Sequence, residues 1–522
     1  MNFSQHLLVV PIVLPLAAGA LMLLVDERRL ALKAAISLAA VLALIATAIA
    51  LLRLVDDSAT HVYRLGNWPA PFGIVLAADR LSAVMVLLAA VLGFAALMFS
   101  LARWQRAGPR FHALLQLLLM GVNGAFLTGD LFNLFVFFEV LLAASYGLAL
   151  HGSGAPRVRA SLHYISVNLA ASLLFLIGAS LIYAVTGTLN MADLALRVPV
   201  VAADNRVLLE AGAAILGIAF LIKAGMWPLC FWLPPAYSAA SAPAAAMFAV
   251  LTKVGVYVVL RTWLLFFGEH AGPFAGFGGT WLVIGGMATL AFGAIGVLAS
   301  QDFSRLASFS LLVSSGTLLT AIGIGGAATT GAALYYLVAS TLAISALFLL
   351  VELIERGRAP GADILAVTAE AFGEPDEDTV PQESVGTAIP GTLALLGVAF
   401  ACCALMIAGL PPLAGFIGKF VLLDALISGQ QVSTAAWVLL ALILLSSVAA
   451  LIGMGRAGVS RFWAAEQSEP RVRMIEMAPI VLLLALCAVL TIEAGPVMRY
   501  MDDAAQALHA PRDYIERVLS SR

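Results

Sequence analysis

Long apolar runs recur from one end of this 522-residue chain to the other, with no polar block large enough for a water-soluble domain. A bilayer core about 30 Å thick is crossed by about 20 apolar residues in a helix. On that rule spans are expected near 7–25, 34–55, 79–102, 111–129, 131–150, 161–186, 207–227, 239–266, 278–299, 304–324, 329–354, 388–428, 434–455 and 474–495. Only 11% of residues are charged and 62% are hydrophobic, against about 25% charged in soluble proteins. Lipid is therefore the main solvent, and the fold class is an all-α membrane protein of about 14 helices. The first apolar run lacks a basic leader and is followed by Asp26, Glu27, Arg28 and Arg29 rather than a cleavage site, so it reads as a retained helix.

The distribution of basic residues predicts orientation. With the N-terminus outside, the inward loops hold fifteen Arg and Lys residues and the short outward loops and flanks hold six. That asymmetry favours both termini outside the cytoplasm and an even number of crossings. The 28 basic residues include only four lysines, and Lys223, Lys253 and Lys419 fall inside spans. Arginine marks the loops whereas lysine sits in the membrane. The partition has a chemical reading, because a desolvated ammonium gives up its proton and a guanidinium does not.

Glu139, near the centre of the fifth span in LFNLFVFFEVLLAASYGL, is the most deeply embedded carboxylate. An ionisable group at mid-membrane costs about 2.5–3.5 kcal/mol on insertion scales. Stability alone gives no reason to keep Glu139, Lys223, Lys253 and Lys419 together. A pairing of Glu139 with Lys223 would hold that ammonium protonated, and hydroxyls from Ser241, Thr252, Tyr257, Tyr335, Tyr336, Ser340, Thr341 and Ser345 are candidates to line a polar axis between the stations. In the bland reading those hydroxyls bond backbone carbonyls or neighbouring helices. His112 and His163 read as interfacial, Trp227 and Trp232 as interfacial anchors, and Asp79 and Asp130 as residues favouring helix N-termini.

Two spans carry breaks. Lys223 is followed by Pro228, Pro234 and Pro235, and the long twelfth span holds Gly409-Leu410-Pro411-Pro412 ahead of Lys419. Five helices separate the two, an odd offset that reverses direction. Two inverted repeats over spans 4–8 and 9–13 would look this way, with the broken segments at a transport path. The expected division is residues 1–110 for helices 1–3, 111–266 and 278–455 for the repeats, and 474–522 for the last helix and tail. A hydrophilic linker at 356–386 interrupts the second repeat, and 497–522 has the pattern of a surface helix. Nucleotide, zinc-protease and hydrolase motifs are absent, and the four cysteines show no CxxC pairing. No enzyme activity, cofactor, metal or nucleic acid is expected.

GDLFNLFVFFEVLLAASYGL around Glu139, the run KAGMWPLCFWLPPAYSAASAPAAAMFAVLTKVGVY from Lys223 past Lys253, and GLPPLAGFIGKF ending beside Lys419 together resemble the antiporter-like membrane subunits. That family is shared by respiratory complex I, membrane hydrogenases and Mrp/Pha-type multisubunit cation/proton antiporters, and these motifs are most similar to its Mrp/Pha branch. The resemblance implies fourteen helices in two inverted five-helix repeats and a central polar axis. It further implies proton-pathway roles for Glu139, Lys223, Lys253 and Lys419, partner membrane subunits, H+ with Na+ or K+ as cargo, and a place in the plasma (inner) membrane. Two alternatives come with it: a proton-pumping subunit of a redox complex, and a non-conducting scaffold. Complex I relatives usually carry a histidine where Cys230 stands, an aspartate where Pro235 stands, and His and Lys in the eleventh span, where this chain has Ser, Thr and Tyr. Hydroxyls and water would have to serve instead.

Overall fold

A computed structural model describes residues 6–57, 60–356, 391–428, 432–462 and 472–520. The acidic stretch of the expected linker, from residue 357 on, lies outside the described residues. The helices are α1 (Val10–Leu24), α2 (Leu30–Leu54), α3 (Arg80–Ala102), α4 (Phe111–Leu127), α5 (Leu131–Ala149), α6 (Ala155–Thr186), the short α7 (Met191–Arg197), and α8 (Arg206–Ala224). They continue as α9 (Leu233–Ala239), α10 (Ala242–Phe267), α11 (Gly279–Ala299), α12 (Phe303–Ile324), α13 (Ala327–Glu355), α14 (Gly391–Ala408), α15 (Ala414–Ile427), α16 (Thr434–Phe462) and α17 (Met474–Ile492). Two amphipathic helices, α18 (Ala494–His509) and α19 (Arg512–Leu519), end the chain. Among the described residues twelve helices are long and apolar enough to cross a membrane, and α1 and α4 are shorter apolar helices. One departure from an all-helical reading is a two-stranded antiparallel hairpin, His61–Arg64 against Val75–Ala78.

Each half uses the same neighbours. In the first, α4 packs on α5, α5 on α6, α6 on α8 and α8 on α10, and α10 returns to α4 and α5. In the second, α11 packs on α12, α12 on α13, α13 on α14 and α14 on α16, and α16 returns to α11 and α12. Small residues permit the close approaches, as expected where lipid supplies no hydrophobic drive between helices. A Cβ on Gly178 of α6 would stand 2.6 Å from the Leu216 nitrogen of α8, and one on Gly286 of α11 would stand 2.6 Å from the Thr320 nitrogen of α12. The halves meet through α10 and α13, which are buried along nearly their whole length.

Both broken spans stop in the same way. α8 ends in Ala224-Gly225-Met226-Trp227-Pro228-Leu229, and α14 ends in Ala408-Gly409-Leu410-Pro411-Pro412-Leu413. Gly225 (φ 72°) and Gly409 (φ 76°) take the left-handed conformation that releases a chain from a helix. In each case the residue after the glycine sends its N–H back five positions, Met226 to Leu221 and Leu410 to Leu405. Pro228 and Pro412 then follow cis peptide bonds.

The first and last described residues, His6 and Ser520, lie on one face. The His6 ring is 5.7 Å from Tyr63, and Arg64 reaches Ser520. The opposite face gathers Trp104, whose indole donates to Glu352 at 2.6 Å, and Arg356, which bridges Glu352 and Glu476 at 2.5 and 2.6 Å.

Several residues counted as loop or interface lie inside instead. Lys33 is in α2, buried, and paired with Glu27 at 2.7 Å. Arg261 is in α10, Arg461 is in α16 with a bond to the Ile354 carbonyl, and His112 is buried against Gln105. Trp232 stacks in the interior on Tyr164, although Trp227 is 45% exposed. Arg261, Arg461, His112 and Trp232 each have an internal partner that spacing along the chain does not reveal, whereas Lys33 pairs with a half-exposed carboxylate.

The contact of α10 with the first break is tight, because a Cβ on Gly255 would lie 2.5 Å from the Ala224 nitrogen. Gly255→Val is expected to destabilise the protein by about 1–3 kcal/mol, read as a lower midpoint of thermal unfolding in detergent or nanodiscs.

Candidate functional site

The four ionisable residues singled out from the sequence sit on four different helices, and their environments differ in kind. Glu139 projects from α5, and its Oε1 accepts a hydrogen bond from Ser172 of α6. Lys223 lies in the last turn of α8, 6% exposed. Its ammonium has no hydrogen-bond acceptor among the described residues and stands 4.9 Å over the ring of Phe138, the neighbour of Glu139. A desolvated cation on an aromatic face gains about 2 kcal/mol. The expected Glu139–Lys223 pair is therefore two adjacent groups rather than a closed ion pair.

Lys253 is wholly buried in the middle of α10. Its Nζ donates to Ser314 Oγ of α12 at 2.7 Å, and Ser314 is 2.9 Å from Ser340 Oγ of α13. The Tyr336 hydroxyl lies close to Ser314 and Thr317. Of the candidate lining residues, Ser340 thus joins Lys253 through Ser314, and Tyr336 lies beside them. Thr252 bonds Tyr237 at 3.2 Å, and Ser241 is buried with no hydroxyl partner among the described residues. Thr341, Tyr335 and Ser345 donate to the carbonyls of Leu337, Leu490 and Ala246, the bland role of a membrane hydroxyl.

Lys419, on α15, reaches back across the break. Its Nζ donates to the carbonyls of Ile407 and Ala408 at 2.9 and 3.1 Å and to Ser447 Oγ of α16 at 2.9 Å. Those carbonyls are the ones that the interrupted α14 leaves without intrahelical partners, and a cation at a helix C-terminus is favoured. When the two Ala-Gly-x-x-Pro-Leu turns are set in register, Lys223 corresponds to Ile407 and Lys419 to Pro235. The two lysines hold opposite sides of equivalent breaks.

Hydrogen-bond partners for the three ammonium groups thus rise from none at Lys223 to one at Lys253 and three at Lys419 among the described residues. An ammonium can donate three. Lys419 alone is fully satisfied by protein, and the other two sites leave donors for water.

Sequence reasoning missed Ser172, Ser314 and Ser447. A lone serine in a membrane helix carries no mark of its partner, since its commonest bond is to its own helix. It also missed the second part of Asp79. That residue caps α3 in a capping box with Ser82, as the sequence suggests, but both of its oxygens also take Arg261 Nη2 at 2.7 Å.

Residues 128–447 match the transmembrane region described as NADH:quinone oxidoreductase/Mrp antiporter. Across its whole length the chain is 57% identical to a probable K(+)/H(+) antiporter subunit of Rhizobium meliloti, covering 98% of that protein. It is 36% identical, over 99% of both chains, to a Na(+)/H(+) antiporter subunit of Alkalihalophilus pseudofirmus. Among solved structures, a chain of the Mrp complex from Dietzia sp. superposes over the full length of both with a TM-score of 0.83 at 28% identity. A chain of an archaeal membrane-bound sulfane sulfur reductase shares the fold, with a TM-score of 0.81 at 23% identity over 98% of this chain and 99% of that one.

Ser314→Ala would leave the buried Lys253 ammonium without its protein acceptor, at a cost of about 1–3 kcal/mol. The same substitution in a Lys253→Met background is expected to cost under about 1 kcal/mol, because the interaction is already gone. Thermal melting of the four proteins reads the difference.

Proposed function

From membership of the NADH:quinone oxidoreductase/Mrp antiporter family, to which this chain belongs, we propose that it is the proton-conducting membrane subunit of a multisubunit Na+/H+ or K+/H+ antiporter. The observation that carries the reading is the hydrogen-bonded series Lys253–Ser314–Ser340, set between the two most deeply buried helices. An amine that can lose its proton, next to hydroxyls that both donate and accept, is what proton hopping requires.

In this reading Glu139 and Lys223 form the first station, in the half made of residues 111–266. A proton on Lys223 is stabilised by the nearby carboxylate and the Phe138 face, with no acceptor among the described residues to trap it. Lys253 is the next station and stands where the halves meet. Ser314, Ser340 and Tyr336 carry the path into the half made of residues 278–455, taking the place of the histidine and lysine usual in complex I relatives. Lys419 ends the line at the second break, held by two carbonyls and Ser447. Partner membrane subunits of the same complex complete the antiporter, and the driving force is the membrane potential with the ion gradients. That potential is worth about 2.3 kcal/mol per charge per 100 mV. The arginine-rich face is assigned to the cytoplasm of a plasma membrane and the face bearing both termini to the outside.

The test is cation-driven proton flux by the complete complex in proteoliposomes. Lys253→Met and Glu139→Gln are each expected to cut the rate about tenfold or more, equivalent to about 1.4 kcal/mol or more on the barrier. Parental flux in correctly assembled variants would remove these residues from the path. A periplasm-active reporter fused after Arg522 is expected to be active, and a cytoplasm-active one silent.

A further inference from the structure

The outward-facing turns of α10 continue the face that carries Lys253. Lys253, Tyr257 and Arg261 recur every four residues, so they stack on one side of the helix about 6 Å apart in rise. The stack ends on the face that bears both termini. There Arg261 Nη2 binds both Asp79 oxygens at 2.7 Å, and its Nε donates to the Tyr257 hydroxyl at 2.8 Å. Tyr257 in turn donates to the Phe126 carbonyl at the end of α4 at 2.6 Å. The guanidinium lies 5.2 and 5.5 Å from the ring centroids of Tyr257 and Tyr514. Beyond it opens a cavity of about 110 Å³ that brings the polar Thr60, Asp79, Arg80 and Asp513 together with apolar residues such as Leu265 and Leu508, and is roofed by α18 and α19.

A hydroxyl passes a proton on only if it accepts from one neighbour and donates to the next along the path. Tyr257 fails on both counts. Its lone pair receives the N–H of a guanidinium, a group with donors only that does not release its proton. Its own hydrogen points sideways into a backbone carbonyl that has no proton to give. The Arg261 guanidinium stands between the Tyr257 hydroxyl and the Asp79 carboxylate, and both members of the pair line the cavity. Among the described residues, a proton leaving Lys253 toward this surface meets the Arg261 guanidinium behind Tyr257 before any carboxylate, the arrangement by which an arginine excludes protons from other pores.

We propose that Arg261, clamped between Tyr257 and Asp79, is a proton seal that closes the axis at Lys253 from the surface bearing the chain termini. Protons at Lys253 then leave only through Ser314 toward the second half. The seal rests on the reading of Lys253 as a proton station. A merely structural role, tying α3 to α10, would show in assembly and melting and would leave proton leakage unchanged.

The experiment uses the complete complex in proteoliposomes free of Na+ and K+, with a potential set by a choline thiocyanate gradient and proton leak read by an internal pH dye. Asp79→Asn with Arg261→Gln removes both charges without stranding either. Leak in this double variant is expected to rise about tenfold or more, and adding Lys253→Met is expected to return it to the parental level. Parental leak in the assembled double variant overturns the seal, and so does a leak that survives Lys253→Met. Cation-driven flux of Lys253→Met alone, on the same preparation, judges the proton station separately. Should the double variant fail to assemble, Arg261→Lys keeps the ion pair but substitutes an amine that can release its proton. The same leak is then expected, and tight vesicles overturn the proposal.

Discussion

Burying the Lys253 ammonium where α10, α12 and α13 meet is the constraint around which the rest of the structure is arranged. An uncompensated charge at that depth is among the most expensive things a membrane protein can hold. Ser314 supplies one acceptor and is itself bonded to Ser340, with Tyr336 beside them, so the ammonium adjoins a polar seam. Such a seam survives in a bilayer only if lipid is kept away from it. That is why α10 and α13 are enclosed on all sides by the other helices of both halves, and why glycines line so many of the contacts.

The helix breaks solve the complementary problem of backbone polarity. A transmembrane helix that stops in the interior leaves carbonyls without partners. At the second break Lys419 satisfies two of them, so the cation and the interrupted helix stabilise each other. At the first break the lysine precedes the turn, and its ammonium rests on an aromatic face. The remaining backbone there is tied across to the other half, with Trp227 N–H donating to Thr289 at 2.8 Å. Equivalent turns thus support two different electrostatic sites, one with its cation saturated by protein acceptors and one with donors to spare. That asymmetry suits a path on which a charge is handed from one half to the other.

The surface that bears the termini is treated differently from the arginine-rich surface. There the chain adds a hairpin and two amphipathic helices, and it buries an arginine in line with Lys253. α18 and α19 lay Met501, Leu508, Tyr514 and Val518 against the bundle, leaving their charged faces outward. Tyr514 packs on the Arg261 guanidinium, so this cover bears directly on the Arg261–Asp79 pair.

Much of the architecture was legible in the residues alone. Span positions, the breaks at Pro228 and Pro411-Pro412, and the burial of three lysines follow from hydropathy and the cost of burying charge. Both are local properties of the chain. Glu139, expected to be the most deeply embedded carboxylate, is only partly buried, and among the described residues Glu476 is the buried one. The shared Ala-Gly-x-x-Pro-Leu turn was present too, but six residues are too few to stand out as a repeat until both segments are seen to end a helix in the same way. Partnership is what only the tertiary structure decided. Ser314 finds Lys253 from 61 residues away and Asp79 finds Arg261 from 182 away. Lys223 lies on Phe138 rather than in a closed pair with Glu139. The cost of a buried charge can be read from one residue and its neighbours in sequence, whereas the group that offsets it is chosen by how helices pack.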